Sequence, residues 1–163
     1  MKNIFILFII ILSSCINDNN NEEATKYAFE DSSSIELILQ DSNEIESIKK
    51  ILYAQQECWN NGDFDGFMEG YWNSEKLIFT SAKNMPTYGW QNTLKRYKKT
   101  YPTKESMGEL KFDICDVKLT SKRTAILNGK WKLTRINDNP NGKFWLDLEK
   151  FDERWLITKD STI

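Results

Sequence analysis

A chain without a single histidine must do any acid–base chemistry with carboxylates, lysine, tyrosine or cysteine. It also lacks the commonest zinc ligand and the base of Ser-His or Cys-His catalysis. Among the carboxylates, Asp160 stands out because it falls on the last strand candidate, which starts at Trp155 and Ile157. Facing a cavity, it could act as a general base with a raised pKa; the competing reading is an exposed or hydrogen-bonded strand-end residue. Asp63 follows Asn61-Gly62 and reads more simply as a helix cap. No Asp-x-Asp-x-Asp-Gly loop is present to arrange carboxylates around calcium, and neither a metal nor a cofactor is expected.

A second group could bind rather than react. Trp59, Tyr71, Trp72, Phe79, Tyr88, Trp90, Tyr97 and Trp131 are large aromatics that could line a pocket for a flat apolar or aromatic ligand, or simply fill a core. Arg135 alternates in phase with Trp131 and Leu133, and could either hold a ligand carboxylate or lie solvated at a strand end.

The elements that must position these residues follow from periodicity. Ser42 to Asn60 places Ile45, Ile48, Leu52 and Trp59 at helical spacing, with a stop at Asn61-Gly62. Asp63 then opens a second helix carrying Phe64, Phe67, Met68, Tyr71 and Trp72. Leu77 to Ser81 is a short strand, Met85-Pro86 a loop, and Gly89 to Tyr101 a third helix ended by Pro102. From Gly108 the period becomes two: Leu110, Phe112 and Ile114; Ala125 to Leu133; Phe144, Leu146 and Leu148; then Trp155 and Ile157. Asn141-Gly142 reads as a hairpin turn, and Asp152-Glu153 as a turn before the last strand. Helices first and an antiparallel meander after them make an α+β class.

The N-terminus reads as an address. Lys2 precedes nine apolar residues from Ile4 to Leu12, far fewer than the roughly 20 that span a bilayer. Leu12-Ser13-Ser14-Cys15 looks like a lipobox, so residues 1–14 are expected to be a cleaved signal and Cys15 the lipidated first residue. Residues 15–41 are then an acidic tether and lead-in, with Asn17 to Glu23 disordered, and 42–163 the folded domain. The acidity of the tether resembles the export tag of surface lipoproteins in some Gram-negative lineages; a plain solvated linker is the alternative. A lipid-anchored cell-envelope protein, periplasmic or surface-exposed, is expected. Cys58 and Cys115 are expected to be buried free thiols rather than a disulfide. With 22 basic and 24 acidic residues spread along the chain, there is no basic field to attract nucleic acid.

Trp59-Asn60-Asn61-Gly62-Asp63, Phe67-Met68, Tyr71-Trp72, Gly89-Trp90, Tyr97 and Met107-Gly108 together resemble the SnoaL-like branch of the nuclear transport factor 2-like superfamily, from about Ile45 to Asp160. The resemblance implies a cone: a curved antiparallel sheet around about three helices, open at one end into an apolar pocket and often dimeric through the outer sheet face. Relatives include isomerases, cyclases, dehydratases and proteins without known activity, so the fold alone fixes no function. Where relatives often end in Trp-x-Ile-x-x-Asp-His-x-Ser, Trp155 to Thr162 keeps Asp160 and lacks the histidine. The expectation is therefore a small-molecule-binding or accessory lipoprotein. The alternatives are an isomerase, cyclase or dehydratase using Asp160 and a tyrosine, or a dimeric scaffold whose pocket is filled.

Overall fold

A computed structural model of the chain describes residues 21–82 and 84–163. The lipobox with Cys15, the signal run before it and the first residues of the tether lie outside the described residues. The chain divides into two compact units, one reaching Ile38 and one running from Leu39 to Ile163. Among the described residues no helix is long and apolar enough to cross a membrane.

The first helix, α1, covers Asn21–Asn61 and so begins well before the expected Ser42, taking in Asn21, Glu22 and Glu23, which had been read as disordered tether. Neither Gly nor Pro occurs between Asn21 and Asn61, so nothing in the backbone stops helix propagation. It ends where expected. Gly62 takes φ +80°, its N–H donates to Trp59 O at 2.9 Å, and the N–H of Asp63 reaches back to Cys58 O at 2.8 Å. That is the paired bonding of a left-handed helix stop.

Asp63 at once caps the next helix, its carboxylate accepting from Gly66 N at 2.8 Å. That helix, α2, is only Phe64–Met68, shorter than the reading that carried it through Trp72. Beyond it the chain turns extended. Ile157 N donates to Gly70 O and Trp72 N to Ile157 O, both at 2.9 Å, so Tyr71 lies against the last strand as an isolated parallel bridge.

Strand β1 is Ile78–Ser81, and β2 is Asn84–Tyr88 where a loop had been expected. Pro86 is tolerated there because β2 is an edge strand and spends no N–H on a further neighbour. Helix α3 follows at Trp90–Thr100, then a one-turn α4 at Lys104–Met107 that periodicity could not show. Thr103 and Ser106 form a reciprocal capping box around α4.

The meander is β3 Glu109–Leu119, β4 Thr124–Thr134, β5 Asn141–Phe151 and β6 Arg154–Thr162. The six strands lie in the order β2-β1-β6-β5-β4-β3, antiparallel except for the β1–β6 pair. This is an α+β fold with a curved open sheet, as the sequence leads one to expect. Asn141-Gly142 is not the hairpin turn. Both residues pair within β5, opposite Lys132 and Trp131, and the reversal uses residues 135–140, closed by Leu133 N to Pro140 O at 2.8 Å. Asp152 and Glu153 do form a turn, with φ +43° and +65°, the left-handed pair a two-residue hairpin demands.

Alternation sorts the sheet faces. Leu110, Ala125, Leu127, Leu133, Phe144, Leu146, Leu148, Trp155 and Ile157 are buried and pack against Ile48, Leu52, Trp59 and Phe67. Trp145 and Ile126 point outward, about two-fifths exposed. Gly129 on β4 marks a close approach: a side chain there would come within 2.7 Å of the Phe144 ring and 2.6 Å of Asp113 O. The outer edge of the sheet is tied to α1 by amides. Asn60 accepts from Leu110 N at 2.7 Å and donates to Leu110 O at 3.0 Å, and Gln56 accepts from Phe112 N at 2.7 Å. Both inner cysteines are free, but Cys115 is exposed beside the β3 bulge rather than buried, because that irregularity between Ile114 and Asp116 breaks the alternation.

Candidate functional site

Between the helices and the inner sheet face lies a cavity of about 100 Å³. Of the aromatics singled out in the sequence, Trp59, Tyr71, Phe79, Tyr97 and Trp131 line it, and Asp160 faces into it. Four other expected residues do not. Trp72 stacks on Phe151, ring centroids 5.1 Å apart, because the chain has turned extended by that point. Tyr88 lies on the edge strand and is 59% exposed. Trp90 spends its indole N–H on Met68 O at 2.9 Å, fastening α3 to the end of α2. Arg135 makes a two-pronged pair with Asp138, both contacts 2.7 Å, and donates to Ser106 O at 3.0 Å, so it closes the hairpin rather than meeting a ligand.

Residues the site reading missed complete the wall: Gln55, Phe67, Tyr101, Phe112 and Phe144 among them. Inward alternation along β3 and β5 pointed to Phe112 and Phe144. Tyr101, the residue that caps α3, continues the helical spacing of Trp90, Leu94 and Tyr97, which pointed to it. Tyr97 is the hub, its ring within 6.0 Å of Trp59, 5.2 Å of Phe67 and 5.7 Å of Phe79, each close to edge-on. Edge-to-face contacts of this kind hold aromatic walls in fixed orientation.

The polar centre is Asp160. It pairs with Phe79 on β1 and Leu146 on β5, so its carboxyl emerges among apolar neighbours. Tyr71 OH donates to its Oδ2 at 2.7 Å and Thr162 Oγ1 to its Oδ1 at 3.0 Å. Since the one hydroxyl proton of Tyr71 goes to the carboxylate, Tyr97 is the donor in the 3.3 Å contact between the two tyrosine oxygens. The result is a short relay, Tyr97 to Tyr71 to Asp160.

Burial dominates the electrostatics. It pushes the Asp160 carboxyl up to about 6, against the opposing pull of the two hydroxyl donors and the Arg96 charge. Burial, then the Asp160 charge, hold the Tyr71 and Tyr97 hydroxyls well above the usual tyrosine range, so both stay neutral donors. Gln55 is already used, donating to Phe67 O at 2.9 Å, whereas Trp131 Nε1 is a buried donor with no partner among the described residues. Among the described residues no group of three or more His, Cys, Asp or Glu could hold a metal ion.

The raised Asp160 pKa has a thermodynamic signature. The buried protonated form favours the fold, so this contribution is complete below about pH 4 and is lost as pH rises through about 6. Urea unfolding of wild type and Asp160→Asn should show the stability difference, wild type minus variant, falling by about 1–3 kcal/mol between pH 4 and pH 7.5. A difference that stays flat over that range would mean the carboxyl titrates as if in water.

No protein-family model matches the chain, and no curated protein matches it. Solved structures do. A nuclear transport factor 2-like protein of unknown function from Shewanella oneidensis shares 46% identity at a TM-score of 0.69, covering 72% of this chain and 96% of that one. A ketosteroid isomerase-like protein from Erwinia carotovora atroseptica shares the fold at 15% identity and TM-score 0.58, over 74% and 96% of the two chains. A cystatin-like domain of unknown function from Nostoc punctiforme does so at 16% identity and TM-score 0.63, over 72% and 74%. With 46% identity over 96% of the Shewanella chain, the chain belongs to the nuclear transport factor 2-like family.

Proposed function

We propose that the protein binds a small, mostly apolar organic molecule in the cavity around Asp160. The observation that carries this reading is the combination of an aromatic wall with a buried carboxyl and a tyrosine relay at its centre. A space of about 100 Å³ suits a short chain or one small ring, since an engineered apolar cavity of about 150 Å³ takes a benzene. The ordinary apolar ligand site is several times larger, which argues against a steroid-sized guest.

A second reading is proton transfer of the isomerase or dehydratase kind, and one observation favours it. A carboxyl poised at about 6 is a competent base near neutral pH, and once Asp160 has taken the proton, the neutral Tyr71 hydroxyl is released from it to donate to an oxygen gaining negative charge. In that scheme Asp160 removes a proton from carbon next to a carbonyl, the electron pair moves onto the carbonyl oxygen, and a tyrosine hydroxyl stabilises it. The resemblance to a ketosteroid isomerase-like structure supports the fold for such chemistry, not the chemistry itself.

The cell address belongs to the same proposal: Cys15 carries the lipid anchor of an envelope protein, and copies pair through the outer sheet face, where Trp145 and Ile126 are exposed. Fatty-acid labelling should vanish in Cys15→Ser, and Trp145→Glu should shift sedimentation from dimer to monomer; retained label or an unchanged species would refute the respective part.

Native mass spectrometry of gently purified protein tests the binding reading. An added small mass that leaves on mild activation is expected, and a bare polypeptide in preparations from several growth conditions would count against it. The catalytic reading is tested by α-proton exchange of cyclohexanone in deuterated water. Exchange should rise as pH passes about 6 and disappear in Asp160→Asn; equal exchange by the variant rejects Asp160 as the base.

A further inference from the structure

Arg96 lies on α3 one residue before the wall residue Tyr97 and is half-buried, not itself part of the cavity lining. Its guanidinium carbon sits 4.7 Å from the centroid of the Phe79 ring, a wall residue, and NH2 donates to Ser81 Oγ at 3.2 Å. Ser81 pairs with Thr162 across the β1–β6 ladder, and Thr162 is also a wall residue, so the head group stands beside the wall. Arg135, the other arginine near the site, is paired with Asp138. Arg96 has no carboxylate partner among the described residues and stacks on a wall ring instead.

Half-burial against the wall without a counter-charge points to a ligand. A guanidinium carries five N–H donors in a fixed fork, and withdrawing it partly from water without a counter-charge costs free energy. Here stacking on Phe79 and one neutral hydroxyl offset only part of that cost. Its charge nevertheless reaches the interior, where it stabilises the ionised forms of Asp160, Tyr97 and Tyr101. Arg135, the arginine that alternation on the strand favoured, is already neutralised by Asp138. Of the two arginines, Arg96 is the one without a carboxylate and in contact with a wall residue.

We infer that the cavity takes a small monocarboxylate, its apolar body among Tyr97, Phe79 and Trp131 and its carboxylate paired with Arg96 beside the wall. This deepens the binding reading above and rests on it. Planar guanidinium and carboxylate match edge to edge, which a lysine at the same place would not reproduce. The cavity volume limits the body to a short chain or a single ring.

The test uses benzoate and its neutral counterpart benzamide, titrated into the 15N-labelled protein at pH 5.5. The Trp59 and Trp131 indole signals serve as reporters from the cavity wall. Benzoate should bind at least about tenfold more tightly than benzamide and weaken as salt is raised. Arg96→Gln should lose about tenfold for benzoate while holding benzamide within about twofold, which also shows that the variant is folded; Arg96→Lys should recover part of the loss. If Arg96→Gln binds benzoate as wild type does, or if benzamide binds as well as benzoate, the anion site is overturned while small-molecule binding survives. If neither compound moves the indole signals, the monocarboxylate site is overturned, and the binding reading is then judged by the mass of the native protein alone.

Discussion

The hydrogen bond from Tyr71 to Asp160 joins two parts of the chain 89 residues apart and makes a buried carboxyl tolerable. An ionisable group placed among Phe79, Leu146 and the aromatic wall costs free energy unless its oxygens are partnered, and here both are. Much of the local architecture serves that pairing. The chain leaves α2 early, runs extended past Gly70 and locks onto β6 through two backbone hydrogen bonds around Ile157. Had α2 continued to Trp72, the tyrosine ring would follow helical rather than strand geometry and lose its alignment with the carboxyl.

Around this centre the molecule keeps polar groups satisfied by reaching across elements. Gln55, Gln56 and Asn60 lie on the same helix, and each spends its amide on backbone belonging to another element. Lys150 and the Trp155 indole both converge on Glu44, at 2.7 and 2.6 Å, fixing the last hairpin against α1. Three of these bonds end on or start from wall residues, Gln55, Leu110 and Phe112, and so help fix the shape of the cavity.

Most of the fold was legible because its signals are local. Period-two alternation marked β3 to β6, and Gly62 with Asp63 marked the corner between the first two helices. What failed was where a local signal competed with a tertiary one. Asn141-Gly142 is a strong turn pair, yet residues 135–140 took the reversal and left Gly142 opposite Trp131. The site followed the same rule: Asp160, Tyr71 and Tyr97 carried their chemistry in residue type, whereas Arg135 and Arg96 could be told apart only by which of them the fold had already neutralised. Trp72, Tyr88 and Trp90 share the composition of a pocket without its direction, because one aromatic looks like another until the backbone says where it points.

The amides of Asn60 and Gln56 also decide how the molecule can associate. A sheet invites foreign strands wherever an outer strand leaves its N–H and C=O groups vacant. Along the first half of β3 the N–H and C=O of Leu110 and the N–H of Phe112 are occupied by helix side chains, and at the opposite margin β2 carries Pro86, which has no N–H to give. Sheet extension from one molecule to the next is thus discouraged at both margins, and a neighbour has to meet this protein by its broad face or by its side chains rather than by continuing its ladder.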